Sequence, residues 1–139
     1  MLKTYKIDIS PMGAPRMNQS DKWRMAVANS SKVTSDPRIV LLRRWIAYRD
    51  ELVLKANVLG LRNLPATVES IRFFLPIPQS RKKKTREGDL YCFSKPDLDN
   101  LLKALQDALC GEDSHVAEIR HLGKYYTEKD PYVEIIIDV

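Results

Sequence analysis

Apolar residues recur along this chain with two periods. Residues 3–9, Lys-Thr-Tyr-Lys-Ile-Asp-Ile, alternate and predict a strand with Tyr5, Ile7 and Ile9 turned to the core. Residues 67–75 predict a second strand carrying Val68, Ile71, Phe73 and Leu75, with a break in period at Ser70 and an end at Pro76 and Pro78. Residues 116–126 and 132–139 read as two more, and Glu128-Lys129-Asp130-Pro131 between them reads as the turn of a hairpin. The isoleucines of the last strand suit a central or interface position. Helical spacing appears in two places. Ser35-Asp36-Pro37 is a helix start, with a capping candidate and a proline at the first helical position. The helix it opens runs over about 38–57 and buries Ile39, Leu42, Trp45, Ile46, Leu52, Val53 and Ala56. The second helix covers 97–109, where Leu98, Leu101, Leu102, Leu105, Ala108 and Leu109 form one stripe.

These elements predict a single α+β domain over residues 1–139: a mixed sheet of about four strands with two main helices packed on it. Residues 10–36 read as irregular, beginning with the turn-rich Ser10–Ser20.

Composition narrows the function less than the pattern narrows the fold. The 139 residues carry a net charge of +5, which favours an anionic partner without naming one. Two cysteines, Cys92 and Cys110, and two histidines have no zinc-ligand spacing, so free thiols in a reducing cytosol are expected. No apolar run approaches the ~20 residues that span a bilayer, and the first residues lack a signal-peptide core. The expected location is cytoplasmic, with no membrane partner.

The candidate chemistry lies at the start of the second helix. Pro96 disfavours helix at Lys95, so the helix cannot extend back through it. Asp97 takes the N-cap position, Asp99 falls in the first turn, and Lys103 follows one turn later. Two readings of this trio stand. One is a capped helix with an ordinary Asp99–Lys103 pair, worth a few tenths of a kcal/mol. The other is a site for a hard cation such as Mg²⁺, which takes one or two carboxylates together with water and phosphate oxygens, with the lysine placed for developing phosphate charge.

Two basic stretches could bring DNA to that site. Ser80–Gly88 carries Arg81, Lys82, Lys83, Lys84 and Arg86. It is a solvated surface run, or a cationic loop that offsets the repulsion between carboxylates and phosphate. The earlier loop carries Arg16, Lys22 and Arg24, with Trp23 either stacking on an unpaired base or closing over the core. Arg43-Arg44 is a solvated face or a phosphate patch, and Lys124 is a further candidate phosphate contact.

The run Lys95-Pro96-Asp97-Leu98-Asp99-Asn100-Leu101-Leu102-Lys103-Ala104-Leu105-Gln106-Asp107-Ala108-Leu109 resembles the signature of the RusA family of Holliday-junction resolvases. These are small homodimeric, Mg²⁺-dependent endonucleases, common in prophages, that cut four-way DNA junctions. The resemblance is dense over 95–109, looser to about residue 137 and weak before residue 70. It implies a structure-selective endonuclease acting on branched DNA as a homodimer. An inactive or non-junction DNA-binding protein of the same fold is the alternative. Asp97, Asp99 and Asp113 would hold Mg²⁺, with Glu112 in reserve. Lys103 would contact the scissile phosphate, Lys95 would contact DNA, and Asn100 would support the geometry. His115 is a proton shuttle or a structural residue.

One departure from the family matters. Only three residues separate Leu109 from Asp113, fewer than the family usually has. A helix over 97–109 is about 18 Å long. Asp113 then shares the metal of Asp97 only if the helix is shorter or the chain folds back, unless it serves the partner subunit's site.

Overall fold

The computed structural model describes residues 1–16, 21–78, 91–93, 95–110 and 116–139. Four strands and three helices follow one another: β1 (Leu2–Ile7), α1 (Asp21–Ala28), α2 (Pro37–Val58), β2 (Thr67–Pro76), α3 (Leu98–Cys110), β3 (Glu118–Thr127) and β4 (Tyr132–Asp138). The α+β class and the mixed four-stranded sheet are as the pattern predicts, and each predicted strand and helix lies within about two residues of its expected bounds.

The sheet order is β1-β4-β2-β3. β4 runs antiparallel to both β1, pairing Ile7 with Val133, and β2, pairing Ile71 with Ile135. β2 and β3 are parallel, from Thr67 opposite Glu118 to Pro76 opposite Thr127. The connection between these parallel strands contains α3, the usual form of such a crossover.

The expected hairpin of β3 and β4 is not formed, because β2 lies between them. The reason is burial. β2 carries Val68, Ile71, Phe73 and Leu75, all buried, and gains most from neighbours on both edges. β3 exposes Arg120, His121 and Leu122, which suits it to the edge. The local turn signal at 128–131 thus loses to a non-local pairing. The central place expected for the isoleucine strand is where β4 sits.

Alternation divides the sheet. Tyr5, Ile7, Ile71, Phe73, Val133 and Ile135 face the helices and are buried with Trp45 and Leu52 of α2 and Leu101, Leu105 and Leu109 of α3 in one cluster. Each buried leucine of α3 contributes about 2 kcal/mol of apolar burial, which fixes that helix and hence its N-terminal end. The opposite face carries Lys6, Arg72, Phe74, Tyr125, Tyr132 and Glu134.

α2 begins as its sequence predicts: the Asp36 carboxylate accepts from the Arg38 amide at 2.9 Å, with Pro37 in the first turn. α1 lies within the stretch expected to be irregular. It has little apolar stripe to announce it, and Trp23 is 54% exposed. A polar contact fastens it instead. Asp21, only 2% exposed, accepts from the Arg38 guanidinium at 3.2 and 2.7 Å and pairs with Arg24 at 3.4 Å. That hydrogen-bonded pairing raises the pKa of Arg38 further.

Candidate active site at the start of α3

The start of α3 is held from three directions. Within the helix, the Asp97 carbonyl accepts from the Leu101 amide at 3.1 Å, so Asp97 occupies the N-cap position as expected. From the loop after β1, Ala14 donates its amide to the Asn100 carbonyl at 3.3 Å. Gly13 lies so close that a Cβ there would stand 3.1 Å from the Pro96 Cβ and 3.4 Å from that of Asn100. From β3, the Lys124 ammonium donates to the Pro96 carbonyl at 2.8 Å. The segment ahead of the motif is pinned to the same strand: Tyr91 bridges to Tyr125, and the Cys92 amide donates to the Lys124 carbonyl at 3.1 Å. The Lys95–Pro96 peptide bond is cis.

On this support the candidate side chains are open. Lys95, Asp97, Asp99 and Lys103 are all exposed. Among the described residues, neither the Asp97 nor the Asp99 carboxylate accepts a hydrogen bond or joins an ion pair. The Asp99–Lys103 pair of the plainer sequence reading is therefore absent, and the Asp97 side chain caps no amide. Lys103 bears on Asp107 instead. Burial holds the Asp107 carboxyl above its ordinary value, and the Lys103 ammonium works against that rise.

Two bare carboxylates supply hard oxygen donors of the kind Mg²⁺ prefers. They are two only: among the described residues no group of three or more acidic, histidine or cysteine side chains is assembled for a metal. Asp113, Glu112 and His115 lie outside the described residues, as do Arg81, Lys82, Lys83, Lys84 and Arg86. α3 continues unbroken to Cys110, so the shorter helix that would have carried Asp113 back toward Asp97 is not what forms.

The remaining basic candidates divide. Arg16 and Lys22 are exposed. The Arg16 carbonyl accepts from Arg38, two residues after Ala14 touches the motif. Arg24 pairs with Asp21 and Asp36 and lies over the Trp23 ring at 4.9 Å, so it builds α1. Trp23 does not close over the core. Arg43 donates to the carbonyls of Val27, Ala28, Ser30 and Lys32, which ties it to the C-terminal end of α1, while Arg44 beside it is exposed, as a solvated face requires. Lys124 was legible as a cation but not as the anchor of Pro96, and nothing in the local sequence marks Gly13 as a contact of the motif.

A family model for endodeoxyribonuclease RusA matches residues 8–138. The chain belongs to the RusA family. The match spans nearly the whole chain, including the stretch before residue 70 where the resemblance read from the sequence is weak. The uncharacterized protein YqaN of Bacillus subtilis (strain 168) is 34% identical over 77 residues, 48% of this chain and 53% of that protein. The chain thus spans about half the length of the curated relative it matches. In this RusA-family chain, no helix among the described residues is long and apolar enough to cross a membrane.

Proposed function

We propose that this protein is a metal-dependent endonuclease that resolves four-way DNA junctions by paired phosphodiester cuts. The observation that carries the reading is the pair of exposed carboxylates, Asp97 and Asp99, at the start of a firmly held helix with no partner among the described residues. A capped helix or a surface ion pair would have used them. Membership of an endodeoxyribonuclease family gives the substrate class.

Asp97 and Asp99 would hold Mg²⁺, with Asp113 of the same or a partner subunit as the further acid. The cation, when bound, supplies Lewis-acid activation for phosphodiester hydrolysis. The chain does the rest. The fixed start of α3 keeps the two carboxylates at one spacing. Lys103, one turn beyond Asp99, presents an ammonium to the charge that develops on the phosphate. Lys95 meets the DNA backbone just ahead of the acids. Arg16 and Lys22 add sequence-independent attraction, as does the run containing Arg81, Lys82, Lys83, Lys84 and Arg86. Resolution needs two symmetric cuts, and a two-fold homodimer supplies two sites with that symmetry.

Asp97→Asn tests the assignment. Cleavage of a synthetic four-way junction in Mg²⁺ should fall to background while junction binding is kept. Forked and linear DNA, each with and without Mg²⁺, separate a junction nuclease from a general one. A variant that still cuts would remove Asp97 from the chemistry, and a wild-type protein that shifts junctions without cutting them would be a binding protein of the same fold.

A further inference from the structure

Two exposed aromatic rings stand ahead of the acidic pair, and the proposed chemistry uses neither of them. Phe93 is 84% exposed and Tyr91 is 65% exposed, while Cys92 between them is buried. This alternation sets the two rings on one side of an extended segment. The segment is fastened to β3 through the Tyr91–Tyr125 bridge and the Cys92 amide, and β3 in turn holds Pro96 through Lys124. The ring-bearing segment and the start of α3 therefore share one support, β3. Phe93 and Asp97 are four residue steps apart along the chain, a reach of at most about 14 Å, or about four base-pair rises.

The rings also have a direction. Tyr132, Phe74, Tyr125 and Tyr91 stack in a row across the outer face of the sheet, with centroids 4.2, 5.3 and 5.5 Å apart. At the far end the Lys6 ammonium lies over Tyr132 at 4.6 Å and closes the row. At the near end, along the β3 edge of the sheet, is Tyr91, the most exposed ring of the four that the row joins. A flat apolar partner would extend the stack there. A phenyl ring such as Phe93 offers no hydrogen bond, so what it receives is recognised by shape and stacking alone. Every nucleobase has such a face, and base–aromatic stacking tolerates any sequence.

We propose that Tyr91 and Phe93 form a stacking platform for a nucleobase unpaired at the branch point, within a few nucleotides of the phosphate that is cut. The proposal rests on the DNA-nuclease reading above and adds to it a basis for choosing branched over linear DNA. Paired, stacked duplex presents no free base face to these rings, whereas a branch point does.

The test uses a four-way junction with 2-aminopurine at the branch, without Mg²⁺ so that no strand is cut. It compares wild type, Phe93→Ser, Phe93→Trp and the double variant Tyr91→Leu/Phe93→Ser. The expected result is quenching of 2-aminopurine by wild type and its loss in the double variant. Affinity for the junction should drop by about 5- to 150-fold, the range for removing one base–aromatic stack. Affinity for linear duplex should change by less than about two-fold, and Phe93→Trp should restore the quenching. Because Phe93 is so exposed, Phe93→Ser keeps the test decisive if the double variant folds poorly. Equal quenching and affinity in wild type and the serine variants would overturn the proposal alone. So would a loss of self-association in those variants with unchanged DNA binding, which would make the rings a contact between copies. A wild-type protein that binds no branched DNA would overturn both readings.

Discussion

Lys124 on the edge strand β3 donates from its ammonium to the carbonyl of Pro96, 2.8 Å away, the residue immediately before Asp97. The bond joins two parts of the chain 28 residues apart and sets where α3 can begin. A half-buried, charge-assisted bond of this kind contributes about 1.5–3 kcal/mol, and its loss frees the Pro96 carbonyl as well. Lys124→Met should therefore lower stability in urea titrations by about 1.5–3 kcal/mol. Junction cleavage should fall by about ten-fold or more, since small misplacements at a reacting centre are costly. Junction affinity should change by less than about three-fold. Equal losses in affinity and in cleavage would mean that Lys124 binds DNA directly.

Gly13 acts on the same point from the other side. The Cβ of any other residue would stand 3.1 Å from the Pro96 Cβ, tighter than side chains ordinarily pack. Alanine requires Pro96 or the loop to give by a few tenths of an ångström, and valine requires more. Gly13→Val should cost about 1–3 kcal/mol as overpacking and reduce cleavage further than Gly13→Ala. DNA affinity should stay within a few-fold of wild type. Identical cleavage by all three proteins would show that the loop after β1 does not set the position of the motif.

These two contacts mark the boundary of what the sequence makes legible. The leucine stripe of α3, the capped start of α2 and the alternating strands are local signals, and each became the element it predicts. The acidic pair was visible from its spacing and from the family signature around it. What escaped depends on residues far apart in the chain. α1 is held by Asp21 meeting Arg38 seventeen residues on, so its own apolar pattern is weak. The hairpin of β3 and β4 failed because β2, the more apolar strand, enters between them. Arg43 reads as surface charge until the end of α1 is placed beneath it. For the same reason Gly13 and Lys124 carry no mark of their contact with Pro96.

Tyr48 offers a test of the core beneath the site that needs no DNA. Its ring is buried on α2 beside Trp45, and its hydroxyl approaches the Met12 backbone without completing a hydrogen bond there. Burial pushes the phenol up to about 12, with Met12 opposing and Glu51 adding to the rise. The sign of the pH effect follows. Between about pH 10 and pH 12 the unfolded chain releases the Tyr48 proton while the native protein keeps it. Ionisation then favours unfolding, and stability falls across that window. Two pH units correspond to at most about 3 kcal/mol. Tyr48→Phe removes both that loss and an unsatisfied buried hydroxyl. The variant should be more stable than wild type by about 1 kcal/mol at pH 8, and the gap should widen above pH 10. Urea titrations of both proteins at pH 8 and pH 11 measure it. A gap that stays constant would mean that Tyr48 ionises as readily in the native protein as in the unfolded chain, and that the contact between the Met12 loop and α2 is open to water.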